Sequence, residues 1–281
     1  MLVFAKIKSV QQKIKSLKKG TSIGFVPTMG ALHKGHLSLI KQAKRENDIV
    51  VVSIFVNPTQ FDKQEDLANY PKTIDTDLSL LKSVCCDIVF TPTAEEMYNN
   101  SIQSQSFDFD GLEHQMEGKF RDGHFDGVGT IVKRLFEIVT PHKAYFGEKD
   151  FQQLQVIKTM ARDLSMPVEI IGVPTMREVS GLAMSSRNGY LSAEQKTTAT
   201  ALFKALGQCA EQLKQGNKDF TSLKAHAKQS LEQAGLKPDY IEIRDSSDFG
   251  KVTDKSLQAV ILVAAFVGKA RLIDNLTVEL S

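Results

Sequence analysis

The sequence of 281 residues contains only three cysteines, and their positions exclude a disulfide framework. Cys85 and Cys86 are adjacent, Cys209 lies far away along the chain, and no C-x-x-C or Cys/His spacing typical of a metal site is present. Such sparing use of cysteine fits a reducing compartment. We therefore expect a cytoplasmic protein.

An excess of charge of either sign is also absent. The 35 Lys and Arg residues are balanced by 33 Asp and Glu residues, which gives a formal net charge of +2. A bulk nucleic-acid binder carries a strong basic excess, so an RNA-binding module is disfavoured, although a local cationic cleft is compatible with this balance. With 42% hydrophobic and 24% charged residues, the composition excludes disordered, collagenous and low-complexity classes.

Long apolar runs are missing as well. The longest, residues 259–267, is about half of the roughly 20 residues that a membrane helix needs. We interpret it as a buried strand. The first 19 residues carry scattered lysines and no continuous apolar stretch, so a signal peptide is not expected.

Short apolar runs alternate with amphipathic segments over the first two-thirds of the chain. Apolar runs that are buried on both faces are typical of parallel strands covered by helices, and the strand–helix–strand order predicts a doubly wound sheet. The predicted strands are residues 22–26, 49–56, 87–90 and 144–146. Predicted helices carry apolar residues at helical spacing over 37–43, 74–84 and 128–138.

The pattern changes after about Thr175. A stretch rich in Gly, Ser and Asn precedes two helical segments and three strand segments, with a hairpin turn at Gly268-Lys269. The helical segments are 193–214 and 220–234, and the strands are 240–244, 259–267 and 270–277. The sequence therefore predicts a Rossmann-like α/β domain over 1–176 and a smaller α+β lid domain with an antiparallel sheet over 177–281, joined near 173–177.

The densest motif is PTMGALHKGH at residues 27–36, between the first predicted strand and a helix. Ligands of open α/β sheets bind beyond the carboxyl ends of the strands, and Gly30 and Gly35 allow a close approach of the backbone. His33 and His36 would share one face at a helix N-terminus, where anions are favoured, so both suit phosphate oxygens. Two surface histidines are the alternative. Zinc is disfavoured because H-x-G-H lacks the i, i+4 spacing and a third ligand.

Polar side chains follow two other predicted strands. Asn57 and Gln60 carry amides suited to a small polar substrate, unless Asn-Pro simply makes a turn. In FGEKDFQQL, residues 146–154, Lys149 suits a phosphate and Gln153 would face the same cleft as Gln60. The alternative for this segment is that Asp150 caps the following helix.

Two further loops carry hydroxyl, guanidinium and imidazole groups. GLAMSSRN at residues 181–188 resembles a hinged lid for a polyphosphate in its composition, or else a flexible linker. In RDGHFDG, Arg121 and His124 would contact an anion, or Asp126 would merely cap a helix. Together, the segments are expected to bring four side chains to one phosphate chain: His33, His36, Lys149 and Arg187.

Six ordered motifs carry a resemblance that runs from end to end: PTMGALHKGH, SIFVNPTQF, NYPKT with the following Asp, GHFDGV, FGEKDFQQL and GLAMSSRNGYL. The chain resembles the pantothenate synthetase (pantoate–β-alanine ligase) family, which belongs to the nucleotidylyltransferase superfamily related to class I aminoacyl-tRNA synthetases. The resemblance implies a Mg²⁺- and ATP-dependent homodimeric ligase that joins (R)-pantoate to β-alanine, through a pantoyl adenylate, and forms pantothenate, AMP and pyrophosphate. Another small-acid adenylating enzyme or a nucleotidylyltransferase of the same superfamily is the alternative.

The resemblance also implies residue roles, with His36 as a proposed acid and His33 as a phosphate contact. The implied catalytic residues are His36, His33, Lys149, Ser185, Ser186 and Arg187. The implied ATP-binding residues are Met29, Gly30, Ala31, Leu32, His33, Lys34, Gly35, His36, Gly147, Glu148, Lys149, Asp150, Met176, Met184, Ser185, Ser186 and Arg187. The implied substrate-binding residues are Gln60, Gln153, Asn57, Arg121 and His124, and Asp77 matches a carboxylate associated with magnesium.

Three residues depart from the family pattern. Lys34 stands where an acidic residue is frequent, and it adds a positive charge near the expected phosphates. Ser180 replaces a common aspartate before the M-S-S-R loop, which leaves open how that loop is anchored. Thr76 leaves Asp77 as one carboxylate where two can occur, which weakens the expectation of direct magnesium ligation.

Overall fold

The computed structural model describes residues 1–61, 64–99 and 101–280. The chain divides into two compact units, which we call the N-terminal unit (Met1–Glu148 with Gln152–Pro174) and the C-terminal unit (Lys149–Phe151 with Thr175–Ser281). Three residues that follow a strand of the first unit are therefore grouped with the second. The predicted domain boundary after residue 176 stays a prediction.

The N-terminal unit is built on a six-stranded sheet in which every described pair of strands is parallel. Its strands are β1 (Leu2–Phe4), β2 (Ile23–Thr28), β3 (Ile49–Ile54), β4 (Ile88–Phe90), β5 (Lys143–Gly147) and β6 (Glu169–Val173). They lie in the order β1-β4-β3-β2-β5-β6. The predicted doubly wound parallel sheet is confirmed, and the two strands that the sequence analysis missed, β1 and β6, form its edges.

Helices connect these strands, and amphipathic patterning explains the longer ones. They are α1 (Ile7–Lys15), α2 (Lys34–Glu46), α3 (Gln64–Ala68), α4 (Ile74–Ser83), α5 (Ala94–Tyr98), α6 (Met116–Phe120), α7 (His124–Val139) and α8 (Phe151–Asp163). Leu39, Ile40 and Ala43 of α2 pack with Val50 and Val52 of β3 in the core of this unit. The three helices predicted in this region are confirmed.

The strand order places a topological switch point between β2 and β5. The chain runs from β2 to its neighbour β3 on one side, whereas β5 pairs with β2 on the other side. Loops that leave adjacent strands in opposite directions open a crevice at the carboxyl edge, and ligands of such sheets bind there. The loop 29–33 follows β2, and Gly147 ends β5.

The C-terminal unit has a three-stranded antiparallel sheet with helices, as the sequence predicts. Its elements are α9 (Ala193–Ala199), α10 (Ala201–Lys214), α11 (Phe220–Gln233), β7 (Lys237–Asp245), β8 (Gln258–Val267) and β9 (Ala270–Glu279). The predicted helix over 193–214 is two helices that meet at Thr200. The predicted hairpin turn is confirmed at Gly268, whose φ of 57° lies in the left-handed region. Across the described ranges of both units, no helix is long and apolar enough to cross a membrane.

Candidate active site

His33 and His36 close the N-terminus of α2 in a reciprocal cap. His33 is the N-cap residue, and its Nδ1 accepts a hydrogen bond from the Gly35 backbone N–H at 3.1 Å. Nδ1 of His36 accepts from the His33 backbone N–H at 3.3 Å. The two rings lie 4.1 Å apart between centroids. The predicted histidine pair therefore shares one face at a helix N-terminus, while Lys34 is exposed.

These two hydrogen bonds assign the tautomer of each ring. A nitrogen that accepts a hydrogen bond carries no proton, so each neutral imidazole holds its proton on Nε2. The two Nε2–H groups lie at a place where the helix dipole already favours negative charge. A phosphate group is the kind of ligand that this combination suits.

The loop before the histidines is held by Asp77, which is 1% exposed. Its Oδ1 accepts from the Leu32 N–H at 2.8 Å, and its Oδ2 accepts from the Ala31 N–H at 3.1 Å and from the Thr73 hydroxyl at 3.2 Å. Gly30 and Ala31 have φ values of 83° and 49°. For Ala31 this conformation costs about 1–2 kcal/mol. The Asp77 carboxylate therefore stabilises a left-handed backbone conformation that is unfavourable for the loop by itself.

Asp77 does not fit the predicted role of a magnesium ligand. Both oxygens are occupied by N–H and O–H donors, and the side chain is buried. Thr76, its exposed neighbour, supplies no carboxylate. Within residues 1–61, 64–99 and 101–280, no group of three or more His, Cys, Asp or Glu side chains could hold a metal ion.

Asn57 is a buried support for Gln60. Its Oδ1 accepts from the hydroxyls of Tyr98 at 2.5 Å and Thr59 at 3.1 Å, and its Nδ2 donates to Gln60 Oε1 and to the Gly127 carbonyl, both at 3.1 Å. Burial raises the pKa of Tyr98, which keeps its hydroxyl a donor. With all its hydrogen-bonding capacity occupied, Asn57 orients Gln60 rather than facing a ligand.

Arg121 and His124 hold the same glutamine by its backbone. Arg121 Nη2 lies 3.1 Å and His124 Nδ1 lies 2.9 Å from the Gln60 carbonyl oxygen, and the two side chains contact each other at 3.1 Å. His124 is buried, and the N-cap of α7 is Gly123. The alternative that Asp126 caps this helix is therefore wrong. The Gln60 amide nitrogen in turn reaches the Met29 sulfur at 3.1 Å.

The segment after β5 separates a structural glutamine from a candidate binding glutamine. Gln152 is buried, donates to the carbonyls of Leu112 and Gln115, and accepts from the Glu117 N–H. Gln153, the predicted substrate residue, is half-buried at the next position. Gly147 ends β5, and burial raises the pKa of Glu148, which follows it.

In the C-terminal unit, three predicted phosphate contacts line one small cavity. Lys149, Ser185 and Arg187 surround it together with Arg271 and Asp274. Asp150 lies in the same helical turn as Lys149. This cavity gathers three basic side chains in a unit that belongs to a chain of almost balanced charge.

The loop that carries Ser185 and Arg187 has a defined backbone. Ser185 caps a short helical turn, Ser186–Tyr190, by accepting from the Arg187 N–H at 3.2 Å. The Met184 backbone N–H donates to the Met176 carbonyl, and the Met176 residue is exposed. Buried Asn188 donates to the Ala183 carbonyl at 3.0 Å and to Glu178 at 3.3 Å. The alternative of an unstructured flexible linker is wrong for this segment.

Sequence reasoning missed several supporting residues: Tyr98, Gln152, Arg177, Asp274 and Asn275. Arg177 and Asp274 form an ion pair across 97 positions, so no local motif connects them. For Tyr98 and Gln152 the sequence offers no clear signal either, because polar residues are frequent around both.

Known proteins are similar to this protein over almost the whole chain. The profile described as pantoate-beta-alanine ligase matches residues 2–277. Proteins named pantothenate synthetase from Vibrio vulnificus and Vibrio parahaemolyticus are 50% and 51% identical over 282 residues, covering 100% of this chain and 94% of theirs.

Solved structures agree as well. The pantothenate synthetase of Thermus thermophilus is 42% identical with a TM-score of 0.90, covering 98% of this chain and 99% of that one. A pantoate-beta-alanine ligase from Francisella tularensis, complexed with beta-gamma ATP and beta-alanine, is 37% identical with a TM-score of 0.83, covering 98% and 97%. With a matching sequence profile, half-identical relatives and the same fold, the chain belongs to the pantoate–β-alanine ligase family.

Proposed function

We propose that this protein is the ATP-dependent ligase that condenses (R)-pantoate with β-alanine to form pantothenate, AMP and pyrophosphate. The observation that carries the proposal is the H-x-G-H cap at the start of α2, directly after the switch-point strand β2, in a chain that matches the family from residue 2 to residue 277. ATP is the co-substrate, and a pantoyl adenylate is the intermediate.

In the first step, a pantoate carboxylate oxygen attacks the α-phosphorus of ATP, and the bond to the bridging oxygen of pyrophosphate breaks. Charge shifts onto phosphate oxygens in such a displacement, so catalysis depends on fixed donors and on positioning. The Nε2–H groups of His33 and His36 are proposed to donate to these oxygens, and the α2 N-terminus adds its partial positive charge. Met29 to Leu32 and Gly35 provide the backbone that brings the nucleotide close.

The remaining phosphate contacts are proposed for the cavity residues of the C-terminal unit. Lys149 and Arg187 would neutralise phosphate charge, and Ser185 and Ser186 would donate hydroxyl hydrogen bonds. Gly147, Glu148 and Asp150 would hold the nucleotide, and Met176 would touch adenine. The loop from Met184 to Arg187 would exclude water, since an acyl adenylate hydrolyses readily.

Pantoate is proposed to bind the amides of Gln60 and Gln153. Gln60 is suited to this role because its side chain and its backbone carbonyl are both held by Asn57, Arg121 and His124. The latter three residues then act on the substrate through Gln60. In the second step, the β-alanine amine attacks the acyl carbon, the bond to AMP breaks, and the nitrogen loses a proton.

Magnesium and the homodimeric state stay proposals from the resemblance, and a cytoplasmic location stays a proposal from the sparing use of cysteine. Asp77 is already occupied by backbone and hydroxyl donors, so we assign no step to a metal bound there. Light scattering of the purified protein would test the dimer.

The activity is tested by incubating the purified protein with ATP, magnesium and pantoate, with and without β-alanine. We expect pyrophosphate release that depends on pantoate, and AMP and pantothenate once β-alanine is added. Pyrophosphate release that ignores pantoate would refute the proposal, and a stable adenylated end product in the presence of β-alanine would point to a simple nucleotidylyltransferase.

A further inference from the structure

We propose that Arg177 and Asn275 are positioning residues that hold Lys149 and the loop 181–188 in one frame. The proposal rests on the proposed function, which gives Lys149 and Arg187 their phosphates. All the contacts concerned lie within the C-terminal unit. Neither residue is proposed to bind phosphate itself. Both act through the residues that line the cavity.

Arg177 is the centre of the frame. Its guanidinium makes a bidentate ion pair with Asp274, with Nη1–Oδ2 at 2.6 Å and Nη2–Oδ1 at 2.9 Å. The side chains of Arg177 and Asp274 are 17% and 2% exposed. The guanidinium also lies 4.0 Å from the centre of the Phe203 ring. A planar fork with two charged bonds and a stacked face has a single preferred orientation, which makes it a rigid link.

The same guanidinium fixes the base of the loop. Arg177 Nη1 donates to the Gly181 carbonyl at 3.1 Å, and the Arg177 backbone forms a bridge with Ala183. Gly181 has a φ of 89°, and a Cβ there would lie 2.7 Å from Phe203. Ser180, which replaces a common aspartate, has its hydroxyl 3.5 Å from the Leu182 N–H. The anchoring that this departure left open is therefore supplied by Arg177.

Asn275 extends the frame to Lys149. Arg177 Nη2 donates to the Asn275 carbonyl at 3.0 Å, and the Asn275 N–H donates to Asp274 Oδ1 at 2.8 Å. The Asn275 side chain then donates from Nδ2 to the Lys149 carbonyl at 2.8 Å. Asn275 is 6% exposed. One buried network thus connects the backbone of Lys149 to the base of the loop that carries Arg187.

A second contact supports the same segment. The Phe151 ring stacks on Phe249, with centroids 6.0 Å apart and an interplanar angle of 16°. Residues 149–151 are therefore held at both ends by the C-terminal unit, at Lys149 through Asn275 and at Phe151 through Phe249. This explains why the segment groups with that unit although the strand before it does not.

A group that stabilises charge in the transition state loses much of its effect on the rate when it is displaced. A displacement of about 1 Å by a mutation outside the reacting groups can cost on the order of 100-fold in rate. Loss of the Asn275 amide leaves the Lys149 ammonium present and charged but frees its backbone. We therefore expect kcat to fall while the binding of pantoate, assigned to the other unit, does not change.

The test measures pantoate-dependent exchange of pyrophosphate into ATP for the wild type, Asn275→Ala and the matched control Thr277→Ala. Thr277 lies two positions along β9 and is exposed. We expect Asn275→Ala to lower kcat by about 10- to 100-fold, with the KM for pantoate within about twofold of wild type. Thr277→Ala should behave like the wild type. Both variants should melt well above the assay temperature, so that each is fully folded during the measurement.

Arg177→Lys gives a second, independent measurement. Lysine keeps the charge opposite Asp274 but lacks the planar fork, so we expect a kcat loss of similar size. Because both residues act in one network, the double variant should lose less than the product of the two single losses. Arg177→Ala is avoided because it would leave the buried Asp274 carboxylate without its guanidinium partner, which strongly destabilises a fold.

The outcomes separate the two proposals. A wild-type protein without pantoate-dependent exchange would overturn the proposed function. An active wild type with an unchanged kcat in Asn275→Ala would overturn the positioning role alone. A kcat loss that matches the unfolded fraction of the variant would also overturn it, because the residue would then be merely structural.

Discussion

Asp77→Asn separates a loop anchor from a metal ligand. The substitution keeps the size of the side chain but removes its charge and turns one oxygen into an NH2 group. That group would face a backbone N–H of Ala31 or Leu32, which then loses its acceptor. A hydrogen bond to a charged group contributes about 1.5–3 kcal/mol. We expect the free energy of unfolding to fall by about that amount.

Thermal melting without any ligand measures this loss directly. In a chain of this size, each kcal/mol corresponds to roughly 2–4 °C, so the melting temperature should fall by about 3–12 °C. The histidine loop loses its anchor, and we expect kcat for pyrophosphate exchange to fall at least about tenfold. The magnesium concentration that gives half-maximal rate should not change, because the carboxylate binds backbone groups rather than the metal.

Asp75→Asn is the matched control. Asp75 lies in the same first turn of α4 and is exposed, so it shares the helix-dipole effect of Asp77 but not its loop contacts. The reasoning would be refuted if Asp77→Asn melted like the wild type and needed more magnesium. That result would restore Asp77 as a metal ligand.

Three further substitutions test other parts of the site. Tyr98→Phe removes the 2.5 Å hydrogen bond to Asn57, so we expect about 1 kcal/mol less stability in urea unfolding and a higher KM for pantoate; an unchanged KM would contradict the support of Gln60. Gly181→Ala places a Cβ against Phe203 at a φ of 89°, so it should lower both the melting temperature and the exchange rate. A variant as stable as the wild type would contradict this expectation. Because burial raises the pKa of Glu148, the charged form of this side chain disfavours folding at neutral pH. Glu148→Gln should therefore raise the melting temperature at neutral pH, and this gain should vanish as the pH falls below about 4.3. A gain that grows in acid would contradict the reasoning.

The central strands could be predicted from the sequence because burial on both faces leaves an unbroken apolar signal. Residues 49–54 read IVVVSI and form β3 in the middle of the sheet. The edge strands lack that signal. β1 has three residues that are largely exposed, and β6 is only partly buried and begins with Glu169. Its last residue, Val173, was predicted to lie in the connection between the domains, and it lies in the strand instead.

The motif residues could be predicted, whereas their partners could not. His33 and His36 are close in sequence and obey helix geometry, so their shared face follows from spacing alone. Asp77 reaches Ala31 across 46 positions, and only the order of the strands brings α4 beside that loop. The amide of Asn57 predicts a contact with a small polar substrate, and its four hydrogen bonds to protein groups become visible only in three dimensions.

The membership of Lys149–Phe151 in the C-terminal unit has a consequence for the order of synthesis. Phe249, the stacking partner of Phe151, leaves the ribosome roughly 5–20 seconds later at about 5–20 residues per second. The lysine segment therefore emerges early and waits for the last third of the chain before its anchors at Phe249 and Asn275 exist. A product truncated after β6 would contain the histidine loop but would lack both anchors of the lysine segment, so we expect chains that end before Asn275 to have lost most of the activity.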